Sequence, residues 1–452
     1  MLTDAIDGAY STLAETIRNG AVYPQVTPEE IREHLRLRYP FAQGVSLAEV
    51  ADDVEAMLRQ WQVQVTHPRY FGLFNPSVTV ASVVADTLVA LYNPQLASWR
   101  TSPAANEIEK HTLDWIAGKL GLPDQIESSF TSGGSEANFT AVLVALTHHF
   151  PEYGERGLKS LGGSPTLYLS SEAHHSFTKI AHMTGLGRGA LRIVASDEDL
   201  KLDLADLKRQ VDADRKQGLQ PFLVVGTCGT TAAGVIDPLQ ALHAYCKAEG
   251  LWFHVDAAWG GAAVLSPALR HHVAGIESAD SITCDGHKWL SVPMGCGMFF
   301  CRHRTAVLHA FHAQTSYMPH QLSEDVLDPY TSTVQWSRRF IGLKLFMSLA
   351  HNGEQGYAAM IEHQARMGEL LREQLAASGW RIVNKTPLPV VCFLQDRVSN
   401  AWVLNCLKEQ QIAWMSETQC GSVSALRACI TSFRTTEEDV RWVVGRLSRS
   451  IY

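Results

Sequence analysis

The chain has 452 residues, more than one hydrophobic core usually holds and in the range of two or three domains. With 46% hydrophobic and 19% charged residues it has the make-up of a folded globular protein, which excludes long disorder. A net charge of -8 excludes a bulk electrostatic case for nucleic-acid or membrane-surface partners. The opening MLTDAIDGAYSTLAETIRNG has neither a basic start nor an apolar centre, so no secretory signal is expected. Asp86 interrupts the longest apolar run, VTVASVVADTLVALY, and no membrane span is expected. Nine cysteines without CxxC pairing point to free thiols in a reducing cytosol, not to a disulfide framework or a zinc site.

The first seventy or so residues read as helices. Thr27-Pro28-Glu29-Glu30 combines a threonine cap, a proline in the first turn and a carboxylate three residues on. VSLAEVADDVEAMLRQWQ repeats apolar residues at helical spacing, as helices that cover a partner surface or the main domain do. From Val78 to about Arg302, helices alternate with short apolar strands: TLYLSS, FLVVGT, LWFHVD and MFFCR. This alternation predicts an α/β fold around a mainly parallel sheet, with ligands beyond the carboxyl ends of its strands. From Leu343 a helix, the strand PVVCFLQD, the helix AWVLNCLKEQQ, the strand-like RACITSF and a closing helix predict a small α/β domain. The expected division is 1–75 helical, 76–342 large domain and 343–452 small domain.

Four motifs fall at strand ends in the middle segment. TSGGSEANFTAVLVAL turns through glycine and serine into a helix, which suits an anion such as phosphate, although any capped helix can start so. EAHHSFTKIA puts His174 and His175 where a strand hands over to a helix, placed to lie on a planar ring or to serve structure only. LWFHVDAAWGG ends an apolar strand on Asp256, which asks for a positive partner such as a protonated pyridine nitrogen, or else caps a helix. ITCDGHKWLSVPMGCG sets Lys288 among apolar and small residues, where desolvation makes an amine nucleophilic. Enough chain separates Asp256 from Lys288 for a helix and one more strand, which would return the lysine to the same sheet edge. Phosphate cradle, ring-nitrogen partner, stacking imidazole and imine-forming lysine together describe the needs of pyridoxal phosphate.

These motifs, with HPRYFGLFNPS, WRTSPAANEIE, VQWSRRFIGLKLFMSL, TPLPVVCF and LRACITSFRTTEEDV, give the chain a resemblance to the group II pyridoxal-phosphate-dependent amino acid decarboxylases over nearly its whole length. That family includes the aromatic amino acid, glutamate, cysteine sulfinate and diaminobutyrate enzymes. The resemblance implies the fold type I, aspartate aminotransferase-like architecture and a cytoplasmic homodimer with the active site at its interface. It implies an internal aldimine on Lys288, His287 beside it, Asp256 on the pyridine N–H and Ala258 beneath the ring. It also implies Gly134 and Ser135 at the phosphate, with Thr230 and Asp285 as further candidates. Counting from Ser171 makes His175 the stacking histidine and leaves His174 structural. The SRRF segment offers Arg338 for the substrate carboxylate, with Arg339 as its competitor. Tyr317 in TSYMP matches the tyrosine that reprotonates the α-carbon, and Tyr330 competes. Leu73, Phe74 and Trp99 are candidates for the side-chain pocket.

The resemblance thus implies decarboxylation of an L-amino acid to an amine and carbon dioxide, by an enzyme without a metal. The alternatives are an aldehyde synthase or a carbon–carbon lyase on the same scaffold, or a cofactor-free scaffold protein. The leucine–phenylalanine pair favours an apolar or aromatic substrate, while HPRYF and SRRF are closer to the acidic and diamino branches.

Overall fold

The computed structural model describes residues 2–75, 77–311 and 328–451. The helices α1 (Leu2–Arg18), α2 (Pro28–Arg38) and α3 (Leu47–Gln60) come first, followed by α4 (Val80–Tyr92), α5 (Pro103–Lys119) and, after one strand, α6 (Gly134–His149). The capping signal before α2 is realised in full. Thr27 Oγ1 accepts from the Glu30 N–H, and the Glu30 carboxylate accepts from the Thr27 N–H. Neither α2 nor α3 buries a single residue, and Leu37, Phe41 and Leu47 are left exposed nearby.

Seven strands make the larger sheet: β1 (Glu127–Thr131), β2 (Pro165–Ser170), β3 (Leu191–Val194), β4 (Gln220–Thr227), β5 (Trp252–Asp256), β6 (Ser281–Asp285) and β7 (Gly297–Cys301). Their order is β1-β7-β6-β5-β4-β2-β3. Every neighbouring pair from β6 to β3 is parallel, and only β7 runs against both of its neighbours. The central strands are buried end to end, which is why they read as continuous apolar runs. The parallel direction brings Thr227, Asp256 and Asp285 to the same sheet edge. The expected helix between β5 and β6 is absent: three 3-10 segments, Gly260–Leu265, Arg270–Val273 and Ile276–Ser278, make the crossover instead. Two glycines and two alanines open that segment at Gly260, where a Cβ would sit 2.3 Å from the Cys228 carbonyl oxygen, so the chain hugs the sheet too closely for a helix.

A second, antiparallel sheet has the order β10-β11-β9-β8, from β8 (Arg381–Ile382), β9 (Val390–Leu394), β10 (Ser416–Cys420) and β11 (Val423–Cys429). The early segment around Phe71 is bound to it. The Phe71 N–H donates to the Trp414 carbonyl at 2.9 Å, and the Cys429 N–H donates to the Phe71 carbonyl at 3.0 Å. Phe71 is buried in the core beneath this sheet together with Leu371, Phe393 and Leu426. Among the described residues, no helix is long and apolar enough to cross a membrane.

Candidate active site

A cavity of about 360 Å³ opens beyond the carboxyl ends of the parallel strands. Its floor is the turn Ser132-Gly133-Gly134-Ser135, where β1 passes into α6. Glycine suits this position because of close approach. A Cβ on Gly134 would stand 3.0 Å from Asp285 Oδ2 and 3.1 Å from the Ala258 methyl. The first N–H groups of α6 have no partner of their own within a helix and carry its positive end, so the turn suits an anion. Glu136 folds back to accept from the Ser132 N–H at 2.8 Å, which fixes the turn.

Asp256 closes β5 at the cavity wall, almost wholly buried. Its Oδ2 accepts from Asn138 Nδ2 at 2.9 Å and its Oδ1 from the Ala258 N–H at 3.2 Å. Lys288 follows β6 and points into the same space. Its Nζ lies 3.1 Å from Asp285 Oδ2, an ion pair in which the lysine is the more exposed partner. His287 Nδ1 accepts from the Cys296 N–H at 3.1 Å, which leaves Nε2 to carry the proton, 3.7 Å from Asp285 Oδ2. Burial holds the His287 pKa below the usual imidazole value, against the opposing pull of Asp285.

The two histidines of EAHHS are exchanged relative to the sequence expectation. His174 lines the cavity and His175 does not. The His174 ring accepts from the Ser176 N–H through Nδ1 at 3.2 Å, while His175, just before the helix Ser176–Met183, falls outside the lining; both side chains are exposed in the single subunit. Burial lowers the His174 pKa, while Asp256 raises it and Lys288 lowers it. A neutral imidazole therefore faces the cavity near neutral pH.

Gly134, Ser135, Asp256, Ala258, Asp285, His287, Lys288 and Phe74 are brought together around this one space. Thr230 is not. It is fully buried, and its hydroxyl is spent inside its own turn, accepting from the Val235 N–H at 3.1 Å, while Thr227 and Thr231 line the wall. Leu73 projects to the outside, 53% exposed. Trp99 donates its indole N–H to Glu107 at 2.7 Å and takes no part in the cavity lining. Arg338 is turned away and buried in a two-point pair with Glu109, and Arg339 is exposed beside Asp86. Tyr330 stacks on Trp336 outside the lining, and Tyr317 lies outside the described residues.

Several groups here escaped the sequence reading. Thr227 lines the cavity with a buried hydroxyl that has no hydrogen-bond partner among the described residues. Trp259 lines it too, stacked on Phe74 at 4.4 Å between ring centres. The Arg427 guanidinium lies 4.8 Å from the centre of the Phe74 ring. Its Nε donates to the Thr231 carbonyl at 2.8 Å and its Nη1 to the Gly72 carbonyl at 2.9 Å, so no carboxylate consumes its charge among the described residues. Asn138 had a legible signal: it sits four residues after Gly134, on the same face of α6 as the cradle.

A larger hollow of about 530 Å³ lies at the opposite strand ends, lined by His148, Trp252, Asp280 and His303 among others. Asp280 and His303 are paired with each other at 2.8 Å, and no residue singled out from the sequence faces it.

The model of the pyridoxal-dependent decarboxylase conserved domain matches residues 28–395. The chain belongs to the pyridoxal-dependent decarboxylase family. Human cysteine sulfinic acid decarboxylase is 32% identical over 374 residues, 81% of this chain and 74% of that protein. Phenylacetaldehyde synthase of Arabidopsis thaliana is 28% identical over 448 residues, 94% of this chain and 90% of that one. The crystal structure of mouse cysteine sulfinic acid decarboxylase in its apo form superposes with a TM-score of 0.90 at 26% identity, covering 100% of this chain and 97% of the other. The fold is therefore the fold type I architecture of this family, its cofactor is pyridoxal 5'-phosphate, and its reaction is amino acid decarboxylation. The cavity agrees with that cofactor. It has a cradle that one added methyl group would fill, an orphaned threonine hydroxyl, a carboxylate at a strand end and a reachable lysine.

Proposed function

We propose that Lys288 is the amine that would hold the cofactor, within a site formed by Asp256, His174, Ala258 and the Ser132–Ser135 turn. The observation that carries this reading is the convergence of Lys288, Asp256 and the cradle on one cavity. Bound there, pyridoxal phosphate supplies an electron sink for the pair released when a bond at the α-carbon breaks. Asp256 would hold the ring nitrogen, and the His174 imidazole and the Ala258 methyl would pack against the ring. Ser135, the first N–H groups of α6 and His287 Nε2–H would hold the phosphate.

Selection of carbon dioxide loss over proton loss depends on holding the substrate carboxylate in one orientation. Arg338 is a poor candidate because Glu109 already takes both of its terminal nitrogens. Arg427 fits better: it packs on Phe74 of the cavity wall and bonds no carboxylate among the described residues, and a substrate carboxylate would take its Nη1 and Nη2 from the weaker neutral partners, the Gly72 carbonyl and Cys429 Sγ. Tyr317 remains the proposed proton donor to the α-carbon. Phe74 and Met294 make the wall apolar, which favours an apolar or aromatic substrate side chain.

We assign the active form to a cytoplasmic homodimer in which residues 1–75 reach over the partner, 76–342 hold the cofactor and 343–452 form the small domain. The exposed apolar residues of α2, α3 and their linker support this, since a lone subunit leaves them in water. The test is a panel of aromatic, acidic and diamino L-amino acids given to holoenzyme, with amine, aldehyde and carbon dioxide measured by mass spectrometry. Equal yields of amine and carbon dioxide from an aromatic substrate are expected. Aldehyde with ammonia from every substrate would remove Tyr317 from its role, and exclusive turnover of acidic substrates would overturn the side-chain assignment.

A further inference from the structure

Behind Asp256 runs a line of buried polar groups that the reaction as described does not use. Trp252, His254 and Asp256 occupy alternate positions of β5 and so share one face of the strand. Ser281, opposite His254 on β6, and Asn138 on α6 complete the line. Trp252 Nε1 lies 2.9 Å from Ser281 Oγ, and Ser281 Oγ lies 2.9 Å from His254 Nδ1. His254 Nε2 is 3.0 Å from Asn138 Oδ1, and Asn138 Nδ2 is 2.9 Å from Asp256 Oδ2. All five residues are buried.

The direction of every bond in this line follows from its end. A carboxylate only accepts, so the Asn138 amide turns its NH2 towards Asp256 and its oxygen towards His254. Burial pushes the His254 pKa down to about 4, so the ring is neutral at pH 7 and has one proton. That proton must stand on Nε2 to meet Asn138 Oδ1. Nδ1 then accepts from the Ser281 hydroxyl, whose oxygen accepts from the Trp252 indole, a group that only donates. Four donors point the same way and end on one carboxylate oxygen.

We propose that Asn138 and His254 are positioning residues for the cofactor: the relay from Trp252 locks the Asp256 carboxylate in the plane and rotamer that meet the ring nitrogen. Both Asp256 oxygens are tied, Oδ2 by Asn138 and Oδ1 by the Ala258 N–H, so the carboxylate cannot turn while the relay is intact. The relay is also selective in cost. A buried aromatic or aliphatic cluster would pack this sheet without any polar group to satisfy, whereas here each buried polar atom depends on the next. This inference rests on the reading of Asp256 as the ring-nitrogen partner.

The test compares holoenzyme variants Asn138→Leu, His254→Phe, His254→Gln and Asp256→Ala. Asn138→Leu and His254→Phe are expected to weaken cofactor retention about tenfold, the scale of one lost hydrogen bond to a charged group. Retention is read from the visible absorbance of the Lys288-bound cofactor during dilution. In the same two variants kcat is expected to fall about tenfold with KM for the amino acid within about twofold. His254→Gln can place a donor where Nε2 stood and is expected to restore most of the loss. If Asn138→Leu and His254→Phe retain cofactor and turnover as wild type while Asp256→Ala loses both, the relay is wrong and the Asp256 reading stands. If Asp256→Ala itself keeps both, the two readings fall together. Should the variants not fold, neutron diffraction from wild-type holoenzyme crystals decides: a proton on His254 Nε2 supports the relay, and one on Nδ1 overturns it.

Discussion

The guanidinium of Arg338 is closed by the carboxylate of Glu109, Nη1 to Oε1 at 3.0 Å and Nη2 to Oε2 at 2.6 Å, with both side chains out of water. Glu109 also accepts from the Gly342 N–H at 2.9 Å, so the pair pins α5 to the start of the helix Leu343–Ala377. Removing either partner strands a buried charge. Glu109→Gln and Arg338→Met should each cost about 3–5 kcal/mol in urea unfolding, while the double variant Glu109→Leu/Arg338→Met should cost far less. Additive losses in the double variant would refute a role confined to structure.

Arg427 calls for the opposite result. With the fold retained, Arg427→Gln should raise KM for the amino acid by roughly tenfold or more, because a charge-assisted two-point contact is lost. Inhibition by the amine product, which has no carboxylate, should change little. Equal weakening of amine and amino acid would assign Arg427 to general packing against Phe74.

The cradle gives a steric prediction. The methyl group of Gly134→Ala enters space 3.0 Å from Asp285 Oδ2 and 3.1 Å from the Ala258 methyl. Cofactor retention should fall well before the thermal midpoint does, since α6 itself gains a better helix former. Unchanged retention measured by absorbance during dialysis would place the phosphate elsewhere.

Two groups away from the site, Glu127 buried and His149 half-buried, set opposite pH dependences. Burial lowers the His149 pKa from 6.5 to about 4, and its Nε2 has no hydrogen-bond partner among the described residues. As pH falls below 6.5 the unfolded chain takes up a proton that the folded one refuses, so wild type loses stability relative to His149→Leu. The slope is about 1.4 kcal/mol per pH unit, flattening near pH 4. Burial raises the Glu127 pKa from 4.5 to about 7 despite the nearby Arg304, so the folded state binds the extra proton. Relative to Glu127→Gln, wild type should therefore gain stability as pH falls from about 7 to 4.5. Urea midpoints across this range, compared with each variant, check both signs.

The parts of the site legible in the sequence were those with a local signature. Lys288, Asp256 and Gly134 each stand where an apolar strand or a glycine turn announces a sheet edge, and the fold class follows from the same alternation. His174 and His175 could not be separated by counting, because a turn of unknown pitch lies between Ser171 and the helix. The fate of Arg338 depends on Glu109, 229 residues away in sequence. Asn138 could have been found from its spacing to Gly134, whereas His254 and Arg427 were hidden inside runs whose apolar neighbours dominate the pattern. The strand β1 reads ESSFT, too polar to declare itself until β7 is known to lie beside it.

Phe74 is attached to the smaller sheet. Phe71 and Gly72, just before it, hydrogen-bond to Trp414, Cys429 and Arg427, while Lys288 belongs to the larger sheet. Phe74 also stacks on Trp259 just after β5, so this wall of the cavity is held from both sheets at once. A substitution at Trp414 or Cys429 therefore belongs to the pharmacology of the site, though neither side chain faces the cavity.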